Sequence, residues 1–305
     1  MQRTKTYTMN ALSGAFNELG GYYDKGNREL AFALVDWDLL DEKVRLDPRI
    51  VASYMKWSFT SSFLQLINAW QWFCAGITLS RNAYLPAQET QMNYYAIFFA
   101  YGSLLAAHFK GHYTLKINIQ ENPNYDEIKT RREVWVNEEG EEYSIQVKPK
   151  GKGGEHEVRA KWFYEVFKDW GYREDHPAVV LFENDRLFHT GFRNMFTYSL
   201  ADMGEELFSV PDPYIGHPDD EVLDRLWQRD GELVDYYPEE FWALEHLKAA
   251  LDIHVRLMES FGDGSPYGNA QYALVENLLK HHERTGLSLL ITKAMQPIIE
   301  RIGLT

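Results

Sequence analysis

The 305 residues contain one cysteine, Cys74. A disulfide within the chain is therefore excluded, which fits a reducing compartment, and a cytoplasmic location is expected. Cys74 sits in an apolar stretch with no histidine near it in sequence, so it reads as a small core residue rather than a nucleophile. Basic residues are also scarce, with 31 Lys and Arg against 45 Asp and Glu and a net charge of −14. Affinity for a phosphate backbone comes largely from Lys and Arg, so a surface this acidic opposes general nucleic-acid binding while leaving room for a local basic cleft. No apolar run reaches the roughly 20 residues that span a bilayer. The longest, Tyr94–Phe109, is flanked by Lys110 and His112 and predicts a buried core helix. Met1–Thr6 leads into no apolar segment, so no secretory signal is read and no membrane association is expected. There is no Walker-type glycine loop; Gly262-Asp263-Gly264-Ser265-Pro266 reads as a turn. Internal repeats and low-complexity tracts are missing too.

Apolar and aromatic residues are plentiful. Hydrophobic residues make up 45% and aromatics 15%, enough for a sizeable core. After a polar opening, with a short helix near 11–19, apolar spacing predicts a helix over 28–40 and a long one over 49–79, with Pro48 in its first turn. The segment 82–86 breaks it, and the next helix is expected over 88–110. Small residues punctuate that helix at Ala96, Ala100, Gly102 and Ser103, which suits close approach by neighbouring helices. The period then changes. Segments 112–119, 133–136 and 143–147 alternate, predicting a small three-stranded sheet whose last two strands form a hairpin at Asn137-Glu138-Glu139-Gly140. A lone hairpin is marginal, so this sheet must pack on helices or on a partner. Helices are expected over 157–170, 178–208, 219–230, 239–261, 269–284 and 287–302, the last kinked at Pro297. Pro211, Pro213 and Pro218 mark a connector.

The segment Asn93-Tyr94-Tyr95-Ala96-Ile97-Phe98 resembles the second-helix signature of the HEPN family, small helical bundles that include RNA-cutting toxins and non-cutting relatives. Catalytic members carry Arg, four to six further residues, then His on a late helix. Arg would stabilise charge on a phosphorane-like transition state, and His would move protons near neutral pH. The matching segment here is Phe192-Arg193-Asn194-Met195-Phe196-Thr197-Tyr198. Arg193 and Asn194 fit, but Tyr198 stands where the family places His, and none of the ten histidines follows an arginine at that spacing. Tyrosine ionises near pH 10, a poor base at neutrality, though it can bond a phosphate or stack on a base. His189, four residues before Arg193 on the same helix face, is a substitute in reversed order, and Arg186 adjoins it. Alternatively, Arg193 and Asn194 make only buried polar contacts, or contact nucleotide without hydrolysis.

Other constellations are weaker. Lys148, Lys150, Lys152, Arg159 and Lys161 form a basic stretch that Lys129, Arg131 and Arg132 could extend. With Tyr143, Trp162 and Phe163 nearby it could grip single-stranded nucleic acid; the plainer reading is a solvated hairpin tail. Asp126 with Gln146-Val147-Lys148 is faintly similar to the magnesium-holding core of one nuclease superfamily, without its supporting helix. His281, His282, Glu283 and Glu276, and Glu245, His246, Asp252 and His254, invite a metal reading, but the Glu-x-x-His pair of di-metal bundles is missing. No metal or other cofactor is expected.

The sequence therefore predicts a mainly α protein. Residues 1–47 form an N-terminal extension, 48–208 a HEPN-like helical bundle with a β insertion at 112–150, and 209–305 a C-terminal helical region packed on that bundle. The resemblance implies an RNA-directed protein of a prokaryotic defence or toxin–antitoxin system, an endoribonuclease if it is an enzyme, with Arg193 and Asn194 on phosphate and Tyr198 or His189 as the second group. It also implies a homodimer, an expectation the aromatic content shares. The rival is a non-catalytic subunit that binds a partner protein through its acidic surface or the β-hairpin.

Overall fold

The computed structural model describes residues 43–45, 48–83, 86–107, 112–115, 132–139, 142–149, 160, 163, 164, 176, 218–260 and 268–302. The helices expected over 11–19, 28–40 and 178–208, and most of the one over 157–170, lie outside these residues. The described chain is mainly α-helical.

Two long helices form its centre. Helix α1 is Pro48–Ala83 and helix α2 is Pro86–Ala107. Each begins at a proline, where the missing N–H is one the first turn would leave unpaired anyway. The helices run antiparallel: Ser62 Oγ lies 3.2 Å from Ser103 Oγ, and the Trp72 ring centre is 4.8 Å from that of Tyr95. Residues Phe59, Phe63, Leu66, Trp70, Phe73 and Ile77 recur at helical spacing along one side of α1 and are all fully buried. They meet Ile97, Ala100, Tyr101 and Leu104 of α2. As its composition predicts, α2 is covered on most of its circumference, and no residue from Gln88 to Ala107 is fully exposed. Gly76 lies at the close crossing, where an added Cβ would stand 3.0 Å from Met92 Cβ and 3.4 Å from the Glu89 carbonyl oxygen.

Four short strands pair antiparallel: β1 (Lys43–Arg45), β2 (His112–Leu115), β3 (Arg132–Glu139) and β4 (Glu142–Pro149). Their order is β1-β4-β3-β2, with Val134 opposite Val147, Val136 opposite Ile145 and His112 opposite Trp135. Three strands were expected here; Lys43–Arg45 adds a fourth, pairing Val44 with Ile145. Both edge strands are short, which limits the unpaired backbone offered to another chain.

The C-terminal part comprises α3 (Asp220–Trp227), α4 (Gly231–Val234), α5 (Pro238–Ser260), α6 (Gly268–His282), a 3₁₀ turn (Glu283–Thr285) and α7 (Ser288–Arg301). The helix expected over 219–230 is α3, which ends at Trp227; the chain turns at Arg229, whose φ is 63°, and Asp230 caps the short α4, which was not expected, by accepting from the Glu232 N–H. Beyond that turn the Arg229 guanidinium reaches Glu245. Helix α7 continues through Pro297. Leu244, Leu247, Ile253, Leu278, Ile291 and Ile298 join the same core as α1 and α2, and the Trp70 and Trp227 rings meet at 5.9 Å. No helix among the described residues is long and apolar enough to cross a membrane.

Arg81, near the end of α1, fastens this junction. Its guanidinium donates to the Pro218 carbonyl (2.6 and 2.8 Å), to Asp220 Oδ1 (2.8 Å) and to the Thr285 carbonyl (3.0 Å). Gly286 follows with φ 78°, and a Cβ there would stand 2.4 Å from Asp220 Oδ2. Gly286→Ala therefore combines left-handed strain with displacement of the carboxylate that Arg81 holds. A loss of about 1–3 kcal/mol is expected in urea denaturation; an unchanged midpoint would show that Asp220 is dispensable to the junction.

Candidate functional site

Arg193, Asn194, Tyr198 and His189 lie outside the described residues, as do Arg186, Lys150, Lys152, Arg159 and Asp126. Lys148 is on β4, opposite Glu133 of β3, and Gln146 is opposite Trp135. Phe163 is corrected: it is only 1% exposed, with its ring 4.3 Å from that of Tyr101 and 5.5 Å from that of His246, so it belongs to the core and cannot stack on a base.

The segment Asn93–Phe98 of α2 faces the core in part. Tyr94, Ala96 and Ile97 are buried, and Tyr95 lies against Trp72. Asn93 is 2% exposed, and among the described residues neither polar atom of its amide has a hydrogen-bond partner. Its Oδ1 lies beside Gly76 of α1.

Three polar clusters within the described residues carry titratable groups. In the first, the His254 ring of α5 is wholly buried between Phe59 and Phe63, at 5.1 and 5.4 Å. Its Nδ1 is 3.1 Å from Ser62 Oγ, and its Nε2 is 3.3 Å from the amide nitrogen of Gln271 on α6. An amide nitrogen can only donate, so Nε2 accepts, Nδ1–H donates to Ser62, and Ser62 can pass its own hydrogen to Ser103. Burial pushes the imidazole pKa down to about 3, so His254 is neutral.

In the second, Glu245 of α5 is fully buried yet ionised. Burial raises its pKa, but Arg229 Nε (3.0 and 3.1 Å) and Lys248 Nζ (2.7 Å) outweigh that and lower it. Lys248 also lies over the Trp227 ring, 4.9 Å from its centre. The neighbouring His246 donates from Nδ1 to the Trp242 carbonyl at 2.6 Å, and burial lowers its pKa to about 4.

In the third, the carboxyls of Glu89 (α2) and Glu240 (α5) are both buried and close enough to influence each other's ionisation, with Ser80 of α1 acting on Glu89 as well. Among the described residues Glu89 Oε1 has no hydrogen-bond partner. Burial raises both, Glu89 to about 6 and Glu240 well above the ordinary carboxyl range.

The residues weighed for metal binding have ordinary partners: Glu245 with Arg229 and Lys248, Asp252 with Arg256, and Glu276 with Lys280. Among the described residues no group of three or more His, Cys, Asp or Glu is arranged to hold a metal ion. Cys74 is buried, which pushes its thiol far up and leaves it a core residue. The sequence reading missed Glu89 and Glu240, although Pro86-Ala87-Gln88-Glu89 and Pro238-Glu239-Glu240 each mark a helix start with acid in the first turn. Neither a family model, nor a curated protein, nor a solved structure matches the chain.

Proposed function

We propose that the chain is an RNA-directed, HEPN-like helical protein, an endoribonuclease effector of a prokaryotic defence or toxin–antitoxin system. In this reading the strands between 112 and 150 are an insertion in the bundle, and 209–305 is its C-terminal extension. The observation that carries it is the Asn93-Tyr94-Tyr95-Ala96-Ile97-Phe98 segment on a helix enclosed by the core, the place such a signature calls for. Arg193 and Asn194 would bind the scissile phosphate, with Tyr198 or His189 completing the site across a homodimer. Lys148, Lys150, Lys152 and Arg159 would guide the strand.

A second reading, a non-catalytic subunit that binds a partner protein, is favoured by a specific observation. His246 and His254 are fully buried and bonded within the core, so neither can replace the histidine that Tyr198 displaces. The test is cleavage of total cellular RNA by purified protein beside Arg193→Ala. Under the first reading the variant is slower by on the order of 10²–10³-fold, the usual effect of losing one transition-state contact. RNA left intact by both proteins, across salt and divalent-metal conditions, gives the partner-subunit reading precedence.

A further inference from the structure

We propose that one face of the four-stranded sheet, centred on Trp135, is a stacking platform for single-stranded RNA, with Lys43 and Arg45 of the edge strand β1 as its phosphate contacts. The choice of RNA rests on the RNA-directed reading above; the site itself rests on the strand register. Residues paired across antiparallel strands share a face, and successive residues alternate between the two faces. Lys43, Gln146, Trp135 and His112 therefore form one row that crosses all four strands. That row is about 14 Å wide, three strand spacings. Arg45, Ser144 and Asn137 make the row on one side of it, and Lys148, Glu133 and Thr114 the row on the other.

The opposite face is apolar. Val44, Ile145 and Val136 make one row there, and Val147, Val134 and Tyr113 the next. An antiparallel sheet with this alternation buries its apolar face and leaves the other to water, so the Trp135 face is the one left for a ligand.

Its chemistry suits a single strand. A tryptophan on the watered face of a central strand offers apolar area that a base can cover, and every base has a π-face to stack on it. The three rows hold three cations, Lys43, Arg45 and Lys148, against one acid, Glu133, in a chain of net charge −14. The other acids of this face, Glu139 and Glu142, are opposite each other beside the hairpin turn, which confines the strand to the far end of the sheet. Gln146 and Asn137 carry amides that both donate and accept, as base edges do. Lys43 and Arg45 lie about a hundred positions from the hairpin, so only the β1–β4 pairing brings them to this face.

The test is fluorescence anisotropy of a short labelled oligouridine at low salt, on the full chain carrying Arg193→Ala so that the probe stays whole. Adding Trp135→Ala should weaken binding about tenfold or more, and Trp135→Phe should recover most of the loss, because stacking survives. Lys43→Gln with Arg45→Gln should reduce the dependence of log affinity on log salt by about 1.4, the share of two single-strand phosphate contacts. Pairing the probe into a duplex should cost at least about tenfold, because its bases are no longer free to stack. Should Trp135→Ala fold poorly, the two edge-strand substitutions decide, since they leave the apolar face untouched. No binding at low salt, or binding that neither the Trp135 nor the edge-strand substitutions change, overturns the platform. RNA cleavage by the wild type is read separately: binding without cleavage keeps the platform and removes the nuclease reading, whereas cleavage with no effect of these substitutions on binding does the reverse.

Discussion

His254→Ala is expected to destabilise the protein by about 3–5 kcal/mol, from loss of a buried ring and of the hydrogen bonds it supplies. The ring fills the space between Phe59 and Phe63, and its two nitrogens bond Ser62 and Gln271. Removing it creates a cavity lined partly by polar atoms, which collapse of neighbouring apolar side chains cannot satisfy. Urea denaturation measures the loss, and His254→Gln should recover part of it by restoring a donor and an acceptor. A loss below about 1 kcal/mol would mean that the hydrogen bonds and the aromatic contacts are both replaceable.

The second large effect is on acid stability. His254 is neutral when folded and titrates near 3 rather than its ordinary 6.5, so the folded state refuses a proton that the unfolded state accepts. Its contribution is fully present above 6.5 and diminishes as pH falls toward 3. His246 acts in the same direction down to about 4. Glu89 and Glu240 act oppositely, gaining stability on acidification, so the wild-type curve alone would be shallow. The comparison with His254→Gln isolates the effect, because the other groups titrate in both proteins. Between pH 6.5 and 4.5 wild type should lose about 2–3 kcal/mol of its advantage over the variant. Parallel curves would show that His254 is solvated or charged in the folded protein.

Helices such as α1 and α5 were legible from local signals alone: apolar residues at helical spacing and, for α1, Pro48 where a first turn tolerates it. The end of α3 near 230 was legible as well, but the short α4 that Asp230 caps was not, because four residues are too few to show a helical period. Glu245, His246 and His254 were noticed only as a metal group that was weighed and set aside. Their real partners, Arg229, Trp242 and Ser62, follow from the burial of α5, which spacing along that helix does not report. Stacking by Phe163 was weighed as an alternative to a solvated tail because sequence proximity to lysines suggests a surface, whereas its ring packs on Tyr101, far away in the chain.

The run from Gln271 through His254 and Ser62 to Ser103 joins α6, α5, α1 and α2 across 192 positions between Ser62 and His254. That separation has a consequence for how the protein is made. As the chain leaves the ribosome, α1 and α2 emerge with Trp70, Phe59 and Phe63 before α5 exists to cover them. Contacts this distant in sequence slow folding, and apolar surface left waiting is prone to aggregate. Nascent chains arrested before Pro238 should therefore depend on chaperones, and completion of α5 and α6 is the event that closes the core.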